Sequence, residues 1–445
     1  MRVALFVHCF FPDHFYGTET YTLQLARNLL QLGHDPIVVS AIFPGEPGNV
    51  ETVSQYDFEG IPVYCIDKNR YPNARVKDTY YQPEIRHILL DLLNTIRPDI
   101  VHVTHLINHT GVLLEAAHSL ELPLVATLTD FFGFCFNNKL EAADGSLCEG
   151  PNARRTNCLA CYLKASSQQP ASPLLLKLAQ NPALATWGAT AMACAARMPG
   201  LRHGSLAGRV LDITRRPDIL ASCYANYQAA IAPTRLLKQA YLRNGFKAPI
   251  HEILFGVDLA RAPKPVRPRS VPIRFGFIGQ IAVHKGVDML VEAFCRLPAG
   301  SAELHIYGSG EQYPRYMATL RKLAANHPVF FDGTFPSAET ENVLAEMDFL
   351  VMPSRWYENS PLALLCALAS HTPVIVSDVE GMTEFVEPDV NGWIFERENA
   401  DDLERVLREI IASPDQARAL THSTEYPRTT AMMVRDVLAV YETLR

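Results

Sequence analysis

At 445 residues the chain is too long for one ordinary domain; at roughly 100 to 200 residues per domain it predicts two or three, and its 48% hydrophobic content allows substantial cores. A formal net charge of −7 with no long basic block speaks against a nucleic-acid partner. No apolar stretch is long enough to span a bilayer, and Met1-Arg-Val-Ala-Leu-Phe-Val lacks a signal-peptide core and cleavage site; a cytoplasmic location is therefore expected, with the 10 cysteines as buried thiols or metal ligands.

Val3–Val7 reads as a buried strand, followed by the loop His8-Cys-Phe-Phe-Pro-Asp-His-Phe-Tyr-Gly17. A helix follows with Leu23, Leu25, Ala26, Leu29 and Leu30 on its inner side; Gly33 ends it, and Pro36–Ser40 is the next strand, completing a βαβ unit. Gly17 reads in two ways, as a tight-turn residue or as a place where backbone approaches a phosphate at the helix start. Ile61–Ile66 is a further strand and Ile85–Ile96 a helix. Asp99–Thr104 is a core strand whose tip delivers His105, a helix runs from Gly111 to Leu120, and Leu124–Leu128 is a strand tipped by Thr129 and Asp130. Open α/β sheets carry their chemistry at strand tips, which favours a functional His105 over a structural one. His102, inside its strand, reads as a satisfied core histidine.

Cys135, Cys148, Cys158 and Cys161 fall in one segment rich in Asn, Gly, Asp and Pro, the last two as C-x-x-C. Four thiolates so spaced can complete a tetrahedral structural zinc shell; an iron–sulfur cluster is the second reading, and four reduced cysteines that are merely near in sequence the third. A closed thiolate site has no open position for substrate, so its expected role is to hold a loop near Asp130. Leu174–Leu178 and Ala185–Ala196 predict a helical excursion over the first domain; a peripheral contact with the inner face of a membrane is the sharper alternative. Ile219–Ala230 reads as helix, Ala230–Thr234 as a short strand, Arg235–Asn244 as a helix ended by Gly245, and Pro263, Pro265 and Pro268 mark a linker.

In the second half, Ile273–Ile278 is a strand that exits through Gly279-Gln280, and Gly286–Phe294 is a helix preceded by His284 and Lys285. A lysine at a helix start is unfavourable for the dipole unless an anion binds there. Ala302–Tyr307 is a strand ending in Gly308-Ser-Gly310, Val329–Gly333 another strand, and Glu339–Met347 a helix. Phe349–Met352 is a buried strand that breaks into the loop Pro353–Pro361, with Glu358, Asn359 and Ser360, before the apolar helix Leu362–Ala369. Thr372–Val376 is a strand, and a further helix carries Glu384; Trp393–Phe395 is a strand, Ala400–Ala412 a helix and Thr430–Leu444 the final helix. Alternation in each half predicts an α/β protein of two doubly wound, Rossmann-like domains.

The run PSRWYENSPLALLCALASHTPVIVSDVEGMTEFV, from Pro353, resembles the donor-sugar site of the family-4 retaining glycosyltransferases of GT-B fold, in which Pro-Ser, a glutamate, a small-residue helix, "xPVIxSD" and "G-xx-E" follow one another. The likeness extends to "PDIVHVTH", "TLTD" and Gly17-Thr18-Glu19, and to Asp144-Gly-Ser-Leu-Cys148-Glu-Gly-Pro151, which resembles cysteine-bearing insertions in some members. It implies two domains facing a central cleft: 1–262 for the acceptor, with a cysteine-bearing insertion at 131–215, and 263–425 for the nucleotide-sugar donor. A terminal helix, 426–445, would pack back on the first. By the resemblance, His105, Glu358 and Lys285 are catalytic, with Thr104 the alternative to His105 by one residue of register. Gly17, Asp130, Gln280, Gly308, Asn359, Ser360, Pro361, Leu362 and Cys366 would bind substrate.

Besides Phe255, which stands for an asparagine in Ile250-His-Glu-Ile-Leu-Phe-Gly-Val-Asp258, three positions depart from the family pattern at the site: Gln280 stands for an arginine, Thr129 for a histidine, and Cys366 for the second glutamate, eight positions after Glu358, that meets the ribose. The implied activity is metal-independent transfer of a hexose, with retention, from a nucleotide diphosphate sugar to a glycan or lipid-linked acceptor in polysaccharide synthesis, domain closure excluding water. The same three departures also fit a non-catalytic sugar-nucleotide or partner-binding relative. A sugar-nucleotide epimerase or a phosphorylase of the same architecture is the remaining alternative.

Overall fold

The computed structural model describes residues 1–167, 187–192, 205–259 and 271–444. Two compact units form, Met1–Leu254 with Thr430–Arg445, and Phe255–Thr429. Apart from residues 187–192, which are helical, the expected excursion over Leu174–Leu178 and Ala185–Ala196 lies outside the described residues, as do the linker prolines.

The first unit holds β1 (Arg2–Phe6), α1 (Gly17–Gln31), β2 (Asp35–Ile42), β3 (Val53–Phe58), β4 (Ile61–Asp67), α2 (Arg86–Ile96), β5 (Ile100–Val103), α3 (Val112–Ser119) and β6 (Leu124–Thr127). These are followed by α4 (Thr156–Ser167), α5 (Ser205–Tyr224), β7 (Ala229–Ala232), α6 (Arg235–Arg243) and β8 (Ile250–Glu252). The sheet runs β3-β4-β2-β1-β5-β6-β7-β8. All pairings are parallel except β3 with β4. Helices cover a parallel sheet, so its inner strands are apolar on both faces: Val3, Ala4, Leu5 and Phe6 are all fully buried. The edge strand β3, VSQYDF, is half-polar and escapes sequence reading. Its hairpin to β4 turns through Glu59 and Gly60, both at positive φ, as a two-residue hairpin loop requires. α5 ends at Tyr224, so the helix expected over Ile219–Ala230 instead gives way to a loop and then β7.

The second unit holds β9 (Ile273–Ile278), α7 (Val287–Cys295), β10 (Ala302–Tyr307), α8 (Pro314–Leu323), β11 (Val329–Gly333), α9 (Thr340–Ala345) and β12 (Phe349–Met352). Then come α10 (Leu362–Ala369), β13 (Val374–Ser377), β14 (Gly392–Phe395), α11 (Ala400–Ala412) and α12 (Pro414–Ala419). Its sheet is parallel throughout, in the order β11-β10-β9-β12-β13-β14. Phe275, Phe277, Phe349 and Ile375 pack under Leu290 and Phe294 of α7 and Leu403 and Leu407 of α11. Asn399 caps α11 by accepting from the amides of Asp401 and Asp402. Glu384 lies in a single 3-10 turn, Thr383–Phe385, and not on the helix expected there; Glu387-Pro388 follows directly and cannot continue one.

The terminal helix α13 (Thr430–Glu442) belongs to the first unit and packs on α1. Its Tyr441 hydroxyl lies 2.5 Å from His102 Nδ1, while His102 Nε2 meets Thr127 Oγ1 at 2.7 Å and Thr127 meets the Tyr21 hydroxyl at 2.9 Å. His102 is thus a core residue with both ring nitrogens satisfied. Burial lowers it from an ordinary 6.5 to about 3, and lowers His109, whose Nε2 donates to the Val7 carbonyl at 2.8 Å, to about 4. The folded protein holds both neutral where the unfolded chain takes up protons, so stability is fully present above pH 6.5 and falls as pH drops below it. Each pH unit removes up to about 1.4 kcal/mol per histidine. Urea unfolding at pH 7, 6 and 5 should show this decline, shallower in a His102→Gln variant; a flat profile would contradict it.

Candidate functional site

In the second unit the chain builds outward from β9 through β10 to β11 and then returns to the other side of β9 as β12. The loops leaving β9 and β12 therefore part in opposite directions, and an open α/β sheet binds ligands in the gap so made, at the carboxyl ends of the strands. Lys285 is on the first loop and Glu358 on the second. Gly286 lets them meet: its φ is +70°, and a Cβ there would lie 2.0 Å from the Pro353 carbonyl oxygen. The β12 loop is also held by Arg355, whose amide donates to the His284 carbonyl at 2.8 Å and whose guanidinium reaches the Val283 carbonyl and Asp288, each at 2.9 Å.

Lys285 Nζ donates to Glu358 Oε1 at 2.6 Å, and the same oxygen accepts from Ser354 Oγ at 2.5 Å and Trp356 Nε1 at 3.3 Å. Glu358 is buried at 6% exposure, yet Oε2 receives no hydrogen bond among the described residues and remains able to accept one. Lys285 keeps one-fifth of its side chain exposed, beside the Trp356 ring. Ser360, next to the start of α10, takes φ +55°, and its buried Oγ has no hydrogen-bond partner among the described residues. Asn359, Pro361 and Leu362 are half-buried around it, where the first amides of α10 lack intrahelical acceptors. Gln280 donates to Gln312 at 2.9 Å. Gly308 is needed for packing, since a Cβ would lie 1.8 Å from the Gly279 carbonyl oxygen at the neighbouring strand tip. Cys366 is half-buried on α10, its thiol pushed up to about 12 by burial.

The first unit repeats the topology: β1 is flanked by β2 and β5, so the loops after β1 and β5 separate at a second switch point. His105 follows β5. Its Nδ1 accepts from the Ile107 amide at 3.1 Å, so its proton sits on Nε2, which meets Asp130 Oδ2 at 3.0 Å. Thr104 is fully buried, donating to the Phe6 carbonyl at 3.0 Å and meeting Thr22 Oγ1 at 2.8 Å. Thr129 donates to the Thr104 carbonyl at 3.0 Å and ties the two strand tips together.

The strand-tip argument applied to His105 applies equally to His8, which the sequence reading passed over because β1 runs into its loop without a break. The His8 ring lies 4.4 Å from that of His105, centroid to centroid, and its Nε2 is 3.0 Å from Glu19 Oε1. Burial, then the neighbouring His105, hold His8 well below 6.5, so it is neutral, and its buried Nδ1 has no hydrogen-bond partner among the described residues. Gly17 begins α1; a Cβ there would touch nothing within 4 Å and its φ is not left-handed, so the turn itself does not require glycine.

Cys135, Cys148, Cys158 and Cys161 are free thiols around one small cavity, although no three of the sulfurs lie within 4.8 Å of one another. The set of three donors that does lie within that distance among the described residues is His8, Cys9 and Glu19. No helix among the described residues is long and apolar enough to cross a membrane.

Two family profiles match the chain, Glycosyltransferase Family 4 over residues 15–139 and Glycosyl transferases group 1 over residues 262–425. The putative colanic acid biosynthesis glycosyltransferase WcaL of Escherichia coli is 28% identical over 160 residues, 34% of this chain and 39% of that protein. The chain spans about a third of the length of the curated relatives it matches first. Among solved structures, sucrose-phosphate synthase of Thermosynechococcus elongatus superposes with a TM-score of 0.64 at 15% identity, over 100% of this chain and 98% of that one. HepE of Anabaena, solved with UDP and glucose, superposes with a TM-score of 0.63 at 13% identity, over 99% of each chain. At such identities the likeness speaks for the fold.

Proposed function

Because this chain belongs to the family-4 glycosyltransferases of GT-B fold, we propose that it moves a sugar from a nucleoside diphosphate sugar to a glycan or lipid-linked acceptor in cell-surface polysaccharide assembly. The observation that carries this reading is the Lys285–Glu358 pair at the β9/β12 switch point. An ammonium suited to a diphosphate stands beside a carboxylate with an oxygen still able to accept from sugar hydroxyls. The UDP and glucose held by HepE agree with such a ligand, and the polysaccharide setting of WcaL with such an acceptor.

As the glycosidic bond breaks, negative charge grows on the departing diphosphate. Lys285, Gln280 and the first amides of α10 would stabilise it, more strongly than in water because the site is partly dry. Ser354 and Trp356 hold Glu358 in one orientation toward the sugar. In the first unit, His105 would face the anomeric centre with its proton fixed on Nε2 by the Ile107 amide, and Asp130 would lie on the acceptor side. Configuration at the anomeric carbon would be retained.

A thermal-shift screen of nucleoside diphosphates and their sugars tests the reading, since a ligand that binds only the folded state raises Tm. The same sugar nucleotide should release free nucleoside diphosphate when an acceptor is added, and no shift with any of them would remove the reading. Cys366 favours a second reading, a binder without turnover: a half-buried thiol cannot accept from both ribose hydroxyls as a carboxylate does. A Tm shift with no diphosphate release would select it. Gly17→Ala should leave Tm unchanged, since the added methyl meets open space, while raising KM for the donor about ten-fold or more if diphosphate approaches that backbone. Unaltered kinetics would show that Gly17 has no such role.

A further inference from the structure

Between β6 and α4 the chain runs through 128–155 with no helix or strand beyond one isolated bridge, Glu141 to Leu147. A stretch this long in a compact unit needs another anchor. Two separate pieces of it, together with α4, bring cysteines to one cavity of roughly 10 Å³, a volume for a single atom and not for a substrate. Cys135 comes from the turn after Phe131, and Cys148 from the arm of the bridge, where its amide donates to the Leu140 carbonyl at 2.7 Å. Cys158 and Cys161 lie three apart on one face of α4. Cys148 Sγ lies 3.4 Å from the Gly150 amide, 3.5 Å from the Gly150 carbonyl oxygen and 3.7 Å from Asn157 Nδ2.

An independent observation concerns charge. Arg216 is 3% exposed and makes no ion pair among the described residues; its guanidinium is held by the Cys135 carbonyl at 2.6 Å, by Asn138 Oδ1 at 3.4 Å, and over the rings of Phe132 and Tyr80. A buried cation with no directly paired carboxylate among the described residues is costly, and these neutral partners, with the more distant Asp130, offset only part of that cost. A zinc ion bound by four thiolates carries a net charge of about −2, and the Cys135 carbonyl would place it next to Arg216.

We propose that Cys135, Cys148, Cys158 and Cys161 bind one structural zinc ion, and that this ion, with Arg216 as its counter-charge, fixes Asp130 beside His105. Binding replaces four S–H bonds with four zinc–sulfur bonds and releases four protons to solvent, with no change of oxidation state. The sulfurs must rotate inward from their present partners, Asn137 Oδ1 for Cys135 and the Glu141 carbonyl for Cys161, exchanging weak S–H···O contacts for metal bonds of about 2.3 Å. The link to the site is short: Arg216 stacks on Phe132, whose amide donates to Asp130 Oδ1 at 2.9 Å, and Asp130 Oδ2 meets His105. The effect on catalysis rests on the function proposed above; the metal site does not.

The test is metal analysis of the full chain purified without added chelator. One zinc per chain is expected in the wild type, well under half in Cys161→Ser and in the less buried Cys148→Ser, and in cobalt-substituted protein the intense visible bands of a tetrahedral thiolate site. Metal-free protein whose four thiols all react with a disulfide reagent in the native state overturns the proposal. Iron with the broad absorption of a cluster, or zinc undiminished in both variants, overturns it equally. Arg216→Gln should lower zinc retention against a competing chelator while leaving the nucleotide-sugar Tm shift in place. A wild type with zinc but no such shift would keep the metal site and remove the catalytic reading, so the two failures are distinguishable.

Discussion

Lys285→Ala should lower kcat/KM for the sugar nucleotide by roughly 10²- to 10³-fold, the usual cost of losing one donor aimed at charge that develops in a transition state. The lysine reaches its place only because Gly286 allows the β9 loop to close on Pro353, and Glu358 holds it there at 2.6 Å. The loss should appear mostly in kcat if the ammonium meets the diphosphate chiefly as charge grows, and equally in KM if it binds the ground state as strongly. Removing Lys285 leaves Glu358 with Ser354 and Trp356 as donors, so a modest drop in stability accompanies it. Lys285→Gln separates the two effects: an amide restores a donor to Glu358 without the charge, so stability should return while activity does not. Turnover of Lys285→Ala within about three-fold of wild type would sink the assignment, three-fold being under 1 kcal/mol of barrier.

The largest effect on stability is expected at the opposite end of the same sheet. Asp348 immediately precedes β12 and is 5% exposed; Arg418, on α12, is 2% exposed, with Nε donating to Oδ1 at 3.1 Å and Nη2 to Oδ2 at 3.3 Å. Oδ2 also accepts from the Arg274 amide at 2.8 Å, so one carboxylate joins β9, β12 and α12. Asp348→Ala removes the Asp348 carboxylate from a buried guanidinium and should cost about 3–5 kcal/mol, read as a lower urea midpoint. Asp348→Leu combined with Arg418→Met should recover much of this, because burying no charge avoids the desolvation penalty. The pair lies at the amino ends of the strands and Lys285 and Glu358 at the carboxyl ends, so the nucleotide-sugar Tm shift should persist in whatever remains folded. A cost under about 1 kcal/mol for Asp348→Ala would show that water or another group compensates Arg418.

The sequence was most legible where a residue's neighbours along the chain decide its state. The apolar runs of β1, β5, β9 and β12 announce buried parallel strands, and a glycine or proline marks many of their ends. Edge strand β3 carries no apolar run because half of its residues face water and are polar, and the residues around Glu384 suit the start of a helix as well as the 3-10 turn they form. His8 stands at a strand tip just as His105 does, but no break in the apolar run of β1 marks it. The Asp348–Arg418 pair spans 70 positions, and no local pattern marks its two ends as partners.

The chain by itself determined the alternation of strands and helices, the family to which it belongs and the residue types at the strand tips, because periodicity and loop chemistry act over a few residues. Only the tertiary structure decided which tips become neighbours: that β12 lies beside β9 and so brings Lys285 to Glu358, and that β5 lies beside β1 and so brings His105 to His8. It also decided which buried polar groups are satisfied, as His102 is by Tyr441, 339 positions away. Strand order arises from the packing of whole sheets and helices, which sums contacts between residues far apart in the chain, and no window of sequence contains that sum.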